Sequence, residues 1–234
     1  MTPQRWYKGR VIGISDETND IRRFWVEVPE LASFQFKPGQ YVTLDLPIHE
    51  ELHLRHRHYS IASWPSDSNV FELVIVMRRY GAGTPYFFEK VSIGTELILH
   101  GPLGTFTLKE PIDKDLFLIC TGTGIAPFRS MVHYIHNNAI PHKNIYLIFG
   151  SRTRAALLYY DELIKLQESV PGFHYIPTLS QEQWDGNMGY VHPIYQSLCA
   201  ERKPANFFLA GYKGMIEDAR KLIGEMGYDS IFVQ

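Results

Sequence analysis

The first half of the chain alternates between apolar and polar residues over short stretches that end at turns. Alternation near the end of residues 21–28 stops at Pro29, and a turn at Pro38-Gly39 precedes a second alternating stretch, Gln40–Leu46. A period of two is the pattern of a β-strand with one buried face. Further strands are predicted at Arg57–Trp64, Phe71–Arg79 and Thr95–His100. Many short strands joined by turns indicate a closed antiparallel barrel.

A different pattern begins after Pro111, where continuous apolar stretches alternate with segments of helical periodicity. The predicted strands are Asp115–Cys120, Asn144–Gly150, Phe173–Thr178, Asn206–Gly211 and Ser230–Val233. The predicted helices are Ile125–Asn137, Tyr160–Ser169, Val191–Ala200 and Met215–Met226, the last capped by Gly227. Strands that alternate with helices are typical of a doubly wound parallel sheet of the α/β class. We therefore predict two domains, at residues 1–111 and 112–234.

Composition narrows the class of protein. With 23 Lys+Arg against 25 Asp+Glu the net charge is −2, which argues against a strongly basic surface for nucleic acid. No apolar run approaches the roughly 18 residues of a membrane span. The N-terminal residues Met1–Arg5 lack the apolar stretch of a signal peptide, so we expect a cytoplasmic protein. Cys120 and Cys199 form no CxxC pair, which excludes a dithiol motif and a four-cysteine zinc or iron–sulfur site.

The strongest local signal is a glycine turn between a buried strand and a helix. It consists of Thr121, Gly122, Thr123 and Gly124. Glycines allow a pyrophosphate to approach the backbone, and the free N–H groups of the helix N-terminus attract its charge. The motif is shorter than the full dinucleotide-binding fingerprint. We interpret it as a nucleotide site, with a plain glycine turn as the alternative.

A second set of candidate residues lies in the predicted barrel. Alternation sends Arg57 and Tyr59 to one face of their strand and His58 and Ser60 to the other. A guanidinium can bind phosphate oxygens, and a phenol ring can cover a planar heterocycle. The alternative is an ordinary exposed arginine beside a half-buried tyrosine.

A second glycine turn follows about twenty residues later along the chain. Gly83 and Thr84 open a short helix predicted over Thr84–Val91, with Thr84 as its N-cap and Pro85 at its first position. The amides of this turn and the Thr84 hydroxyl could hold another phosphate.

The order of six motifs resembles the ferredoxin–NAD(P)+ reductase family over nearly the whole chain. These motifs are Arg57–Ser60, Gly81–Thr84, His100–Phe106, Thr121–Pro127, Gly150–Arg152 and Leu209–Gly211. The resemblance implies a flavin-binding antiparallel barrel over residues 1–111 and a nicotinamide-nucleotide-binding α/β domain over residues 112–234. It also implies FAD rather than FMN, because most members without a fused iron–sulfur module use FAD. The short C-terminal end, Ile231–Gln234, is similar to that of bacterial members.

The resemblance further implies roles for individual residues. Catalytic roles fall to Tyr59, which packs on the flavin ring, to Ser60 near the hydride-accepting atom, and to Ala210 beside the nicotinamide. Flavin binding involves Arg57, His58, Tyr59, Ser60, Val76, Gly83, Thr84 and, as a ring cover or else a plain core residue, Phe232. Binding of the nicotinamide dinucleotide involves Thr121, Gly122, Thr123, Gly124, Ser151, Arg152, Ser180 and Gln181.

Two departures from the family pattern affect function. Members usually carry a cysteine at the position of Ala210, so hydride transfer here could be slower or differently poised. NADPH-specific members often carry an arginine at the position of Gln181, and a neutral amide offers no ionic contact to a 2′-phosphate. We lean towards NADH, while NADPH stays open because Arg152 and Arg154 could compensate.

The histidines before and within the Arg57–Ser60 motif form a dense group of His49, His53, His56 and His58. No acidic or cysteine ligand joins them at a set spacing, so we predict no metal site. A basic loop beside the flavin, facing the cofactor or an acidic partner, is the preferred interpretation.

The expected reaction is hydride transfer from NADH or NADPH to FAD, followed by release of single electrons to a separate acceptor such as ferredoxin or flavodoxin. The alternatives are a flavin or ferric reductase that acts on a small molecule, an electron-transfer subunit of a larger complex, and a nucleotide-binding module without turnover.

Overall fold

The computed structural model describes residues 5–234, which group into two compact units. The first unit comprises the residues up to Leu108 together with Arg129–Tyr134, and the second comprises Lys109–Phe128 and Ile135–Gln234. The boundary predicted after residue 111 stays a prediction. Residues 1–4, which were part of the stretch judged for a signal peptide, lie outside the described residues.

The first unit is an antiparallel barrel. Its elements are β1 (Trp6–Thr18), β2 (Ile21–Glu27), β3 (Tyr41–Asp45), β4 (His56–Ser60), β5 (Val70–Val76), α1 (Gly83–Glu89) and β6 (Glu96–Leu103). The six strands lie in the order β4-β3-β6-β1-β2-β5. Ile61, directly after β4, forms a bridge with Leu73 of β5, and the Ala62 amide donates to the Glu72 carbonyl oxygen at 2.8 Å. These contacts join β4 and β5, the two edge strands of the sheet, which confirms the antiparallel barrel.

The barrel is filled by the inward positions of its strands and by one ring from α1. Phe24, Phe71 and Leu44 are fully buried, as a period of two requires of the face that points inward. Phe87 of α1 is also fully buried, with its ring centroid 5.1 Å from that of Phe24 and 5.3 Å from that of Tyr59. The helix therefore contributes to the barrel core directly beneath a candidate site residue.

The start of α1 differs from the predicted one. Its N-cap is Ala82, so the assignment of Thr84 as N-cap is wrong. The Thr84 hydroxyl instead accepts a hydrogen bond from the Arg78 amide at 2.8 Å and can donate to the Arg78 carbonyl oxygen at 3.4 Å. A hydroxyl engaged with the preceding turn is not available to cap the helix that follows.

The second unit is a doubly wound parallel sheet, as predicted. Its strands are β7 (Asp115–Thr121), β8 (Ile145–Ser151), β9 (Phe173–Leu179), β10 (Asn187–Met188), β11 (Ala205–Ala210) and β12 (Ile231–Val233). Its helices are α2 (Ile125–Asn137), of which Arg129–Tyr134 group with the first unit, α3 (Tyr160–Ser169), α4 (His192–Leu198) and α5 (Lys213–Glu225). The order β10-β9-β8-β7-β11-β12 runs outwards from β7 on one side and then crosses to β11 on the other. Such a reversal places a topological switch point between β7 and β11.

The four predicted helices of the second unit are confirmed: α2 and α3 have the predicted bounds, whereas α4 and α5 differ at their ends. α4 stops at Leu198 and α5 begins at Lys213, two residues before the predicted start. Gly227, just beyond the C-cap Met226, has φ +88°, the left-handed conformation that glycine adopts without strain at a helix end. The longest helices have 13 residues. Within residues 5–234 no helix combines the length and the apolar character needed to cross a membrane.

Candidate cofactor sites in the two units

The glycine turn of the second unit brings backbone against backbone at the switch point. Gly122–Gly124 form a single 3-10 turn between β7 and α2. A Cβ atom at residue 124 would lie 2.5 Å from the Ala210 carbonyl oxygen, so only glycine fits there. Gly122 has φ +54° and nothing within 4 Å of its missing Cβ, which leaves open space over the turn. The predicted nucleotide turn thus has a close approach on one side and room for a ligand on the other.

The loop after β11 also has a glycine packed against this turn, Gly211 against Thr121. A Cβ atom at Gly211 would lie 2.5 Å from Thr121 Oγ1, and the same hydroxyl accepts a hydrogen bond from the Tyr212 amide at 2.9 Å. Ala210, at the carboxyl end of β11, is 3% exposed. Ligands of doubly wound sheets bind outside the carboxyl ends of the strands at the switch point. The structure therefore brings Ala210 against Gly124 of the predicted turn, and the loop after Ala210 against Thr121.

The four remaining dinucleotide candidates lie at the carboxyl ends of the next two strands. The Ser180 amide donates to the Ser151 carbonyl oxygen at 2.9 Å, and the Gln181 amide donates to the Arg152 carbonyl oxygen at 3.0 Å. These two bonds align the loop after β8 with the loop after β9. The side chain of Arg152 is exposed and has no carboxylate within 4.0 Å among the described residues.

Sequence analysis missed three aromatic residues near these loops. Arg154 lies over the ring of Tyr160 at 5.6 Å, and the Tyr160 ring is 6.4 Å from that of Trp184. Tyr212, directly after the reciprocal glycine loop, is 67% exposed. Their positions in the sequence could have indicated them, because Tyr160, Trp184 and Tyr212 all follow the carboxyl ends of predicted parallel strands.

In the first unit, β4 presents Arg57 and Tyr59 on one face, as predicted. The Tyr59 ring packs edge-on against Phe87, and burial raises the pKa of Tyr59 to about 12, so the phenol keeps its proton at neutral pH. His58 points to the other face, where its Nδ1 lies 2.8 Å from Thr43 Oγ1, and burial lowers the pKa of this imidazole. The contact with Phe87 in the barrel core thus fixes the ring of Tyr59 beside Arg57, the residue predicted to bind phosphate.

Arg57 is positioned for an anion. Its Nη1 donates to the carbonyl oxygens of Leu54 at 3.0 Å and His56 at 2.8 Å. Among the described residues no carboxylate lies within 4.0 Å of it. A Cβ atom at Gly83 would lie 3.0 Å from Arg57 Cγ, so glycine at residue 83 leaves the guanidinium its place. An oriented cation without a protein counter-ion, beside a fixed aromatic ring, fits the phosphate and the planar ring of a flavin nucleotide.

Other predicted flavin ligands have structural partners of their own. Thr84 braces the preceding turn, as described above, and Val76 ends β5, where it pairs with Ile21 of β2. Ser60 ends β4 opposite Tyr41 of β3. Their direct contacts with the cofactor stay predictions.

Phe232 lies in β12, at the edge of the parallel sheet. Its ring stacks on that of the buried Phe208 with centroids 4.5 Å apart, and Lys109 Nζ lies 5.6 Å from its centroid. This is the environment of a packing residue in the second unit. The role of Phe232 as a flavin cover stays a prediction.

The four grouped histidines do not converge on one point: His49 and His53 both contact Glu51, whereas His56 and His58 contact Trp6 and Thr43. His49 Nδ1 accepts a hydrogen bond from the Glu51 amide at 2.9 Å, whereas His53 Nδ1 lies 3.5 Å from a carboxylate oxygen of Glu51. The His56 ring packs against Trp6 at 5.2 Å. In residues 5–234 no three His, Cys, Asp or Glu side chains form a group that could hold a metal ion.

Comparison with known proteins matches the two parts of the chain to two kinds of oxidoreductase domain. Residues 8–108 match the family model described as "Oxidoreductase FAD-binding domain", and residues 118–221 match "Oxidoreductase NAD-binding domain". The chain is 32% identical over 232 residues to Ferredoxin--NADP reductase B of Sorangium cellulosum, covering 94% of this chain and 93% of that protein. The chain belongs to the ferredoxin–NAD(P)+ reductase family. It is therefore an oxidoreductase with a FAD-binding and a nicotinamide-nucleotide-binding domain.

Two further curated relatives are longer than this chain. The anthranilate 1,2-dioxygenase electron transfer component of Acinetobacter baylyi is 31% identical over 193 residues, which is 81% of this chain and 54% of that protein. The reductase component of propane 2-monooxygenase from Mycolicibacterium goodii is 34% identical over 173 residues, 73% of this chain and 48% of its own length. The chain thus spans about half the length of these two curated relatives.

Solved structures share the fold. A ferredoxin NADP+ reductase from Neisseria gonorrhoeae, with bound FAD and NADP, superposes with a TM-score of 0.82 at 23% identity and 98% coverage of both chains. At this level of identity the likeness is one of fold alone.

Proposed function

We propose that this protein takes hydride from NADH or NADPH onto FAD and then delivers single electrons to a separate acceptor protein, such as a ferredoxin or a flavodoxin. The observation that carries the proposal is the presence of two built sites in one chain. One is an oriented, uncompensated Arg57 beside Tyr59, and the other is the pair of interlocked glycine loops at the switch point.

In the first unit, Arg57 binds the flavin phosphate through Nε and Nη2 of its guanidinium. Its Nη1 donates to the carbonyl oxygens of Leu54 and His56, and these bonds keep the guanidinium oriented. The ring of Tyr59 packs on the flavin ring system, and its edge contact with Phe87 keeps the tyrosine ring from rotating. The bound flavin supplies the redox chemistry, because it accepts a hydride as two electrons and releases them one at a time. Ser60 lies next along β4 and places a hydroxyl near that ring system.

In the second unit, the backbone amides at the start of α2 bind the pyrophosphate of the dinucleotide, over the open space at Gly122. Thr121 joins this turn to the loop after β11 and so fixes the distance between the pyrophosphate and residue 210. Ala210 leaves the nicotinamide pocket without a thiol. We propose NADH as the preferred donor, since Gln181 offers a 2′-phosphate no charge.

The acceptor is proposed to be a protein, and the cytoplasm is the proposed location. The chain has two cysteines, too few for an iron–sulfur cluster held by four cysteines. Electrons therefore leave towards a group that these 234 residues do not carry.

A second candidate is the reductase component of an oxygenase system. The observation in its favour is that an anthranilate 1,2-dioxygenase component and a propane 2-monooxygenase component are among the curated relatives. In that case the separate acceptor would be an oxygenase or its ferredoxin.

Anaerobic titration tests the proposal. The flavin-loaded protein should lose its flavin absorbance on addition of NADH or NADPH and regain it when oxidised ferredoxin or flavodoxin is added. Dithionite serves as a control, because it bleaches the flavin whether or not the nucleotide site works. Bleaching by dithionite alone would refute turnover with nicotinamide nucleotides. Reoxidation only by ferric citrate or free FMN would instead establish a reductase of small molecules.

A further inference from the structure

One short helix contacts both candidate flavin ligands of the first unit. α1 has seven residues, Gly83–Glu89. At its start, a Cβ atom on Gly83 would lie 3.0 Å from Arg57 Cγ, so the arginine packs directly against the helix backbone. One turn later, the fully buried ring of Phe87 packs edge-on against Tyr59, with the two centroids 5.3 Å apart. The place of Arg57 and the orientation of Tyr59 therefore depend on where this helix lies.

A helix of this length is held in place by other elements, because isolated helices shorter than about 12–15 residues are marginal in water. At its N-terminal end, the Thr84 hydroxyl accepts a hydrogen bond from the Arg78 amide at 2.8 Å. The last carbonyl groups of a helix have no partner within the helix itself. Here the Phe88 carbonyl oxygen accepts a hydrogen bond from Arg22 Nη1 at 3.0 Å. A residue of β2, 66 positions earlier, thus holds the C-terminal end of α1.

Two further contacts fix Arg22 for this bond. Its Nε donates to Asp16 Oδ1 at 2.5 Å, across the antiparallel pair of β1 and β2. Its Cζ lies 4.6 Å from the centroid of the Phe88 ring, a distance at which a cation and an aromatic face attract each other. A positive charge beside the C-terminus of a helix is also favoured by the helix dipole. The Arg22 side chain is thus bound on three sides, and one of its partners belongs to α1.

We propose that Arg22 is a positioning residue for the flavin site and that it acts through α1 on Tyr59 and Arg57. The proposal rests on the proposed function, since it takes Arg57 and Tyr59 as the residues that contact the flavin. Without the Arg22 bond the C-terminal end of α1 would move. Phe87 would then no longer keep the Tyr59 ring in its place.

Arg22→Met tests this role, because it keeps an apolar side chain beside Phe88 and removes the donor to its carbonyl oxygen. The full chain, stripped of flavin, is titrated with FAD, and the dissociation constant and the residual fluorescence of the bound flavin are measured. The dissociation constant should rise about two- to tenfold, the effect of one hydrogen bond. The residual fluorescence should also rise, because a tyrosine ring quenches a flavin only while it packs against it. A loss of stability without movement of Tyr59 would leave that fluorescence unchanged.

Two further variants serve as controls. Arg22→Lys keeps a cationic donor and should return both quantities towards their wild-type values. Arg10→Met is the matched control, because it removes another arginine of the barrel that is paired with one carboxylate, that of Glu27. It should leave both quantities unchanged.

Wild-type affinity and wild-type residual fluorescence in Arg22→Met would overturn the proposal. Equal changes in Arg10→Met would also overturn it, since they would trace the effect to surface charge. If Arg22→Met does not fold, Asp16→Asn decides, because it releases Arg22 on one side and should raise the residual fluorescence by a smaller amount. Unchanged fluorescence there would overturn the proposal too. A wild-type chain that binds no FAD would instead contradict the proposed function itself.

Discussion

Arg57 shows how neighbours prepare one side chain for a ligand. Two backbone carbonyl oxygens orient its guanidinium, and glycine at residue 83 leaves it space. Neither contact neutralises its charge, in contrast to Arg55, which is paired with Asp45 at 2.6 Å. A cation that is fixed but uncompensated binds an anion without first breaking an ion pair.

Arg57→Ala is expected to weaken flavin retention while the second unit stays folded. A lost charge-assisted contact costs roughly 1.5–3 kcal/mol, or about tenfold or more in affinity. Flavin occupancy after gel filtration, compared with that of Arg10→Ala, measures the effect. Full occupancy in the Arg57 variant would show that phosphate binds elsewhere.

Gln181→Arg is expected to shift preference towards NADPH. One charge-assisted contact to the 2′-phosphate at an exposed site is worth roughly 1–2 kcal/mol, or about five- to thirtyfold in the ratio of kcat/KM values. Both proteins must be assayed at one ionic strength, because salt screens such a contact.

Gln183→Arg is the matched control for this shift, since it adds the same charge to an exposed residue of the same loop. Its effect on the ratio should be smaller. A wild type that already favours NADPH by orders of magnitude would assign the 2′-phosphate to Arg152 and Arg154 instead.

Ala210→Cys is expected to change the rate of hydride transfer more than nucleotide affinity. Residue 210 lies at the switch point and is 3% exposed, so a new thiol there would be held close to the reacting ring. Stopped-flow bleaching of the flavin by NADH measures the rate, with Ala210→Ser as a control for size. Unchanged rates in the cysteine variant would place residue 210 outside the reaction centre.

At the scale of elements, the junction between β7 and α2 depends on contact with the loop after β11. Gly124 lies against the Ala210 backbone, and Gly211 lies against Thr121, so each loop limits the side chains of the other. Backbone atoms cannot move aside as a flexible side chain can. The shape of the nucleotide turn is therefore set by a neighbour that is distant in sequence.

Gly124→Ala is expected to lower stability by roughly 1–3 kcal/mol, the usual cost of forcing a methyl group into filled space. Nucleotide affinity should fall with it, because the turn must move. Gly224→Ala is the contrasting variant, since this glycine of α5 has nothing within 4 Å of its missing Cβ. Removing a helical glycine should raise stability by about 0.5–1 kcal/mol. Urea unfolding compares the two, and equal stability of both variants would contradict the packing argument.

The pattern of apolar residues was sufficient to predict most elements of both units, because strand and helix periodicities are local properties. It also placed Arg57 and Tyr59 on one face of β4. The prediction of Thr84 as the N-cap of α1 was wrong, because the Thr84 hydroxyl binds the backbone amide of Arg78, six residues earlier. The two-residue β10 is too short to leave a pattern. Which arginines are compensated could not be predicted, since Arg129 and Glu72 meet across 57 positions of sequence.

At the scale of the whole molecule, one buried ionic network links distant parts of the first unit. Glu72 is 4% exposed and binds Arg23 Nε at 2.6 Å and Arg129 Nη1 at 3.0 Å. Arg129 is equally buried and also donates to the Ala62 carbonyl oxygen at 2.9 Å. A buried network of this kind stabilises only while every member is present.

Glu72→Gln is therefore expected to destabilise the first unit by about 3–5 kcal/mol, because the buried Arg129 guanidinium loses the charge of the carboxylate that it binds. The exposed pair of Arg10 and Glu27 gives the control, and Glu27→Gln should cost less than about 1 kcal/mol. Differential scanning fluorimetry followed by urea unfolding measures both. Similar midpoints for the two variants would mean that water reaches the network.

The closure of the barrel by Ile61 and Leu73 bears on how the protein behaves at high concentration. Unpaired strand edges are templates on which other chains can add strands and aggregate. The barrel joins its own edges, and the parallel sheet ends in strands of two and three residues, Asn187–Met188 and Ile231–Val233. Its sheets therefore offer few backbone groups to a second chain, which favours a protein that stays dispersed when it is abundant.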